Sequence, residues 1–227
     1  MTVDNSQVFI RDSAGNVVAT YFRDHMKDDL QRLAQLQQNA VKNPTPVNIE
    51  AAINFAEKIK KDYKEFFEAT KDKQGGVSVI GLRGWGVGYP CHDTKNIKSN
   101  DIYDDMLIVL GTDGAIDVFT RCNFEGTTAV GTYNEGKSKL TGNYPSIADG
   151  VYELNATYHG KENPYYALTL ENDGRVPTIG ENPVYPKRGN PGYAILVHIH
   201  KGGDSWTYSE GCITIYAPSN DTSRWDR

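Results

Sequence analysis

The sequence predicts an α+β protein: an N-terminal α-helical hairpin followed by a β-rich part built of mixed sheets or a sandwich. Three observations predict it. Apolar residues recur at three- and four-residue steps from Phe22 to Phe66, the period of an amphipathic helix. From Val77 onward the pattern changes to short β-favouring runs separated by Gly, Asn and Asp clusters. Between them Lys71 to Gly76 is charged and then glycine-rich, which reads as a boundary. The chain therefore divides into residues 1–76, an extension with the helical hairpin, and residues 77–227, the β-rich domain.

Gln7 to Ile10 and Val17 to Tyr21 flank Asp12-Ser13-Ala14-Gly15-Asn16, a small hairpin. Phe22, Met26, Leu30, Leu33, Leu36 and Ala40 share one helix face. Asn43-Pro44-Thr45-Pro46 ends that helix, because proline offers no backbone N–H. A second helix fits Val47 to Thr70, with Ile49, Ala52, Ile53, Ala56, Ile59, Tyr63 and Phe66 turned inward. Two helices with so short a connection form an antiparallel hairpin. Strands are expected at Val77–Leu82, at Met106–Leu110 and Ala115–Thr120 around the turn Gly111-Thr112-Asp113-Gly114, and at Gly150–His159 and Tyr165–Leu170. Val184 to Gly192, rich in Pro and Gly, reads as a loop.

Composition narrows the classes of function. A net charge of -5 argues against a general nucleic-acid binder. No apolar run reaches the length of a membrane span, so no membrane insertion is expected. Met1 to Arg11 lacks a basic segment followed by an apolar core, so no secretory signal is visible. Three cysteines, Cys91, Cys122 and Cys212, are too few for a disulfide framework. Cys91 and Cys122 fit either a bridge in an oxidising space or two reduced thiols.

The chemistry concentrates between Tyr193 and Tyr216. The apolar run Ala194 to Val197 leads to His198 and His200, which share one face of a strand. Lys201-Gly202-Gly203-Asp204-Ser205 turns the chain, and Ser209-Glu210-Gly211-Cys212 leads into a second β-like run, Ile213 to Tyr216. Two such strands can bring an imidazole and a thiol together, and a thiol needs such a neighbour to become a nucleophile near neutral pH. Cys212 is the candidate nucleophile and His200 the candidate general base. His198 shares that face and could substitute as the base; otherwise it is held by a carbonyl or carboxylate beneath the site, or orients His200. Ser209 braces the loop or donates to substrate, and Gly211 permits close approach, its amide and that of Cys212 facing a developing oxyanion. His92 and His159 stand in no motif and read as surface or structural histidines.

Ile199-His200-Lys201-Gly202-Gly203 followed by Ser209-Glu210-Gly211-Cys212-Ile213-Thr214-Ile215 resembles a divergent branch of the L,D-transpeptidase-like superfamily. Arg83-Gly84 and Tyr103-Asp104-Asp105 also fit that branch, so the resemblance runs from about Val77 to the C-terminal end. Typical members carry a second histidine where this chain has Glu210, and Arg or Asn where it has Thr214. The resemblance implies a β-rich catalytic domain with a Cys/His pair acting on peptidoglycan stem peptides through a thioester, without cofactor or metal. Arg83, His198, Glu210, Tyr103 and Asp105 are the candidate substrate-binding residues: Arg83 pairs with a stem-peptide carboxylate or with Asp104 or Asp105, Glu210 meets a substrate amine or is simply an exposed glutamate, and Tyr103-Asp104-Asp105 alternatively caps a turn before a strand.

The products of such an enzyme depend on the acceptor, water giving a carboxypeptidase and an amine a transpeptidase. A wall substrate with no visible signal suggests an antibacterial secreted effector or a phage lysis enzyme, acting in the periplasm or cell wall, with an immunity or delivery protein as partner. Two alternatives use the same residues. One is a zinc-dependent peptidoglycan hydrolase with His198, His200 and Cys212 as ligands. The other is a non-enzymatic phage or cell-wall-binding module.

Overall fold

The computed structural model of the chain describes residues 6–90, 102–124, 128–132, 139–143, 146–160, 164–179, 193–194, 196–202 and 212–217. It is an α+β protein, with three α-helices and a seven-stranded sheet among the described residues. The chain opens with β1 (Gln7–Arg11) and β2 (Val17–Phe22), then α1 (Arg23–Lys42), α2 (Pro46–Asp62) and α3 (Lys64–Thr70). Next come β3 (Ser78–Leu82), β4 (Tyr89–Pro90), β5 (Ile102–Tyr103), β6 (Asp105–Leu110), β7 (Ile116–Asn123), β8 (Thr128–Thr132), β9 (Lys139–Asn143) and β10 (Ser146–Ile147). The last strands are β11 (Leu154–His159), β12 (Tyr165–Leu170), β13 (Val176–Ile179), β14 (Tyr193–Ala194), β15 (His198–Lys201) and β16 (Ile213–Ile215). The seven-stranded sheet has the order β11-β12-β15-β16-β7-β6-β3. β15 and β16 pair in parallel, while β11–β12, β12–β15, β16–β7 and β3–β6 pair antiparallel.

The chain forms two compact units that interleave along the sequence. One holds Met1–Gly86 and Met106–Thr120, the other Val87–Asp105 and Arg121–Arg227. The boundary expected after Gly76 falls inside the first of them. Met26, Leu30, Leu33 and Ala34 of α1, Ile59 of α2, and Phe66 and Phe67 of α3 share a single apolar core with Met106, Ile108, Leu110, Ile116 and Val118. Those last five residues lie on β6 and β7, so the helices cover strands rather than only each other. Gln37 of α1 reaches the backbone of β7: its Nε2 donates to Ile116 O at 2.6 Å and its Oε1 accepts from Val118 N at 3.0 Å.

The helix ends follow their sequence signals. Thr45 caps α2 by accepting from Asn48 N at 3.3 Å, and Pro46 sits in the first turn, where a missing N–H costs nothing. The second expected helix breaks at Tyr63, whose backbone leaves the helical region at φ -117°, ψ 35°. The break is held by side-chain contacts. The Tyr63 hydroxyl donates to Asp29 at 2.7 Å and its ring meets Tyr21 edge-on at 5.2 Å.

The apolar stripe also needs correction. Met26, Leu30, Leu33, Ala52, Ile59, Tyr63 and Phe66 are buried, but Phe22, Ile49 and Ile53 are 60%, 42% and 57% exposed. Ile53 lies about 100° round the helix from Ala52, which takes it off the face that Ala52 and Ile59 define. Phe22 is not helical; it closes β2 on the outer side of the hairpin.

Candidate active site

The site belongs to the second unit, and strand register builds it. His159 pairs with Tyr165, Thr169 with His198, His200 with Thr214, and Thr214 with Asn123. Because side chains alternate, these residues fall on one face of the sheet. Thr169, His198, His200, Thr214 and Asn123 are all buried. A row of buried polar side chains is costly unless its members bond to one another or to backbone. Here most of them do, although the Thr214 hydroxyl has no hydrogen-bond partner among the described residues.

The strand carrying the histidines is shorter than its apolar approach suggests. Instead of one run from Ala194, the chain pairs at Tyr193–Ala194, leaves the strand, and pairs again from His198. Leu196 adopts the left-handed region at φ 58° and is exposed. This kink takes the carbonyl of Leu196 towards Cys212. Parallel pairing of Ile199 with Ile213 sets Cys212 beside His198. The sulfur accepts from His198 N at 3.5 Å and its thiol donates to Leu196 O at 3.8 Å. A backbone amide aimed at the sulfur is a donor that a thiolate can use.

His200 is fixed by backbone. Its Nδ1 donates to the carbonyl of Lys201 at 2.7 Å, which leaves Nε2 as the ring's acceptor. Burial pulls its imidazole down from 6.5 to about 4; the Lys201 carbonyl opposes this, and His159 and His198 add to it. The ring is therefore neutral at pH 7. Tyr165 stands beside the same imidazole. Its hydroxyl lies 3.2 Å from His200 Nδ1, and burial first, then the negative charge of Cys212, raise it to about 12.

His198 is held by a carboxylate. Its Nε2 donates to Asp173 Oδ1 at 2.9 Å, and its Nδ1 lies 2.7 Å from His159 Nδ1. His159 in turn stacks flat on His200, with centroids 4.3 Å apart and planes at 8°. Both ring nitrogens of His198 are thus engaged, and ligating a metal through either would cost the bond at that nitrogen. Among the described residues no group of three His, Cys, Asp or Glu side chains is arranged to hold a metal ion.

Asp173 is delivered by an unusual turn after β12. Glu171, Asn172 and Asp173 have φ of 53°, 49° and 62°, three successive left-handed residues of which none is glycine. Each such residue costs roughly 1–2 kcal/mol, so the turn must be held. Asp173 N donates to Thr169 Oγ1 at 3.0 Å, the Thr169 hydroxyl donates back to the Asp173 carboxylate, and Gly174 N donates to Glu171 O at 2.8 Å. The Thr169 hydroxyl and then His198 hold the Asp173 carboxyl below the usual carboxylate value. A Cβ on Gly174 would stand 2.6 Å from Glu171 O. Gly174→Ala is therefore expected to open the turn and destabilise the protein by about 1–3 kcal/mol, read by urea denaturation. An unchanged midpoint would show that the turn tolerates a side chain.

His200 also gives a pH dependence of stability. The folded state keeps the ring neutral, whereas the unfolded chain takes up a proton near 6.5. Acid thus favours unfolding, and stability present above pH 6.5 is lost as pH falls towards about 4. The loss attributable to this ring is about 3 kcal/mol. Melting curves from pH 7 to pH 4 should fall more steeply for the parent than for His200→Asn, and parallel curves would refute the assignment.

The other expected site residues are distributed as follows. Tyr103 is wholly buried with its ring 5.3 Å from that of Tyr216, and Asp105 is buried and accepts from Phe124 N at 2.7 Å. Neither is exposed to solvent. Arg83 is half-buried and belongs to the first unit. Ser209, Glu210, Gly211, His92, Cys91 and the loop Val184 to Gly192 lie outside the described residues. Cys122 is a buried thiol and Cys212 a half-buried one. Sequence reasoning missed His159, Asp173 and Tyr165. The available signal was the alternation Asn155, Thr157, His159, which puts polar residues on one face, and Asn172-Asp173-Gly174, residues that favour left-handed turns. Comparison with known protein families, with curated proteins and with solved structures finds no match to this chain.

Proposed function

We propose that this chain is a cysteine-dependent acyl-transfer enzyme of the L,D-transpeptidase type, acting on peptidoglycan stem peptides. One observation carries the reading. A half-buried thiol, on a backbone amide donor, leads a strand paired in parallel with the strand of a neutral imidazole whose Nδ1 proton is held by a backbone carbonyl. The wall substrate rests on the Ser-Glu-Gly-Cys motif and on His200 followed by Lys-Gly-Gly.

In this reading the Cys212 sulfur attacks the scissile carbonyl carbon while its proton passes to His200 Nε2. The low basicity of His200 favours transfer during attack over a standing thiolate–imidazolium pair. The amides of Gly211 and Cys212 hold the oxyanion. The C–N bond breaks, the leaving amine takes the proton from His200, and a thioester remains. Water or an acceptor amine then attacks the thioester and gives a proton to Nε2. The C–S bond breaks and the sulfur recovers that proton. Water makes the enzyme a carboxypeptidase and an amine makes it a transpeptidase.

Mass spectrometry of purified muropeptides after incubation with the protein tests this directly. A shortened or exchanged stem peptide is expected, and unchanged muropeptides under all conditions would overturn the reading. A second expectation follows from where the substrate lies. Expression with a periplasmic signal should round or lyse cells that tolerate the protein in the cytoplasm.

A further inference from the structure

His159, His198 and Asp173 form a second system beside the pair just described. The distance between His159 Nδ1 and His198 Nδ1 is 2.7 Å, which leaves room for one proton between them. Protonating both rings fully would place two protons in that gap. The other nitrogen of His198 already donates to Asp173 at 2.9 Å. The two rings together can therefore hold one net positive charge and no more, and the Asp173 carboxylate stands where it stabilises that charge. His159 presents its ring face to His200 across 4.3 Å, so a charge on the pair lies directly against the base.

We propose that His159 and His198, backed by Asp173, are a one-proton store that fills before His200 and so reinforces the burial that keeps His200 neutral as the acceptor for the Cys212 proton. His159 is then a positioning residue that acts through His200, both by the flat stack and by repulsion of a second proton. The inference rests on His200 being the base, but the proton order itself does not need a substrate. The titratable and charged groups around His200 among the described residues agree with it. His159 stands on β11, and Tyr165 on β12 carries Lys201 Nζ over its ring at 4.6 Å. His198 lies on the same strand with Asp173 behind it, and Cys212 leads β16. Burial first, and then His198, hold the His159 imidazole down; only the second of these reflects two rings competing for one proton. The strained turn that carries Asp173 supports the same view, since such backbone is kept where the side chain it presents is needed.

The test is an NMR titration of the histidine Cε1–H signals in the full chain, with His159→Phe as the variant. Phe keeps a ring for the stack and removes both nitrogens. In the parent, His159 and His198 should take up one proton together, and His200 should titrate below them. In His159→Phe, His200 should rise by about one pH unit, the effect of removing a like charge a few ångströms away. Three rings titrating independently in the parent, or an unmoved His200 in the variant, would overturn the proposal. The parent titration decides the matter even if the variant fails to fold. Iodoacetamide alkylation of Cys212 against pH separates this inference from the reading it rests on. If Cys212 is no more reactive than Cys122, the acyl-transfer reading falls while the proton order stands or falls by NMR alone.

Discussion

Cys212→Ala is expected to abolish turnover of muropeptides, because the proposed reaction passes through a bond to that sulfur. Cys212→Ser should be nearly as damaging, since a hydroxyl holds its proton far more tightly than a thiol and His200 is a weak base. His200→Ala should lower the rate by about 10²–10⁴-fold, the range of a positioned general base. His198→Ala should cost clearly less, because His198 touches Asp173 and His159 rather than the transferred proton. Iodoacetamide should modify Cys212 ahead of buried Cys122, and chelators should leave the rate unchanged. Full activity in Cys212→Ala would end the reading.

Removal of residues 1–76 is expected to leave no cooperatively folded first unit. The deletion strips Met26, Leu30, Leu33 and Ile59 from a core that also holds Met106, Ile108, Leu110, Ile116 and Val118. Those strand residues would face water, each losing about 1.5–3 kcal/mol of burial. Leu30→Ala is the graded form of the same experiment. Leu30 is fully buried, so its truncation should cost about 2–5 kcal/mol in urea denaturation. A fragment of residues 77–227 with a sharp unfolding transition and dispersed amide signals from β6 and β7 would contradict this.

The strands and helices with strong periodicity were legible. β12 begins and ends where Tyr165–Leu170 was expected, and the prolines at 44 and 46 separate α1 from α2. Tyr63 breaks its helix for a hydroxyl bond to Asp29, a partner 34 residues away that no local pattern announces. The same limit applies to the site. The histidines and Cys212 could be found from a motif because they lie close in sequence. His159 and Asp173 reach His198 from 39 and 25 residues away through strand register. A carboxylate holding His198 was anticipated in kind, but its identity required the turn that only the fold displays. Three left-handed residues before Gly174 look like an ordinary Glu-Asn-Asp-Gly turn in the sequence.

Gln37 stands in for a strand. β16 meets β7 at Cys122 and Asn123, and nearer the start of β7 a side chain meets the backbone instead. The Gln37 amide imitates a peptide group there, giving an N–H to Ile116 O and taking one from Val118 N. It plugs the sheet with a side chain, as a neighbouring strand would plug it with backbone. Gln37→Leu would preserve the size of the residue and remove the plug. Both bonds would go at once, so the substitution should cost about 1–3 kcal/mol in urea denaturation although no apolar surface is lost.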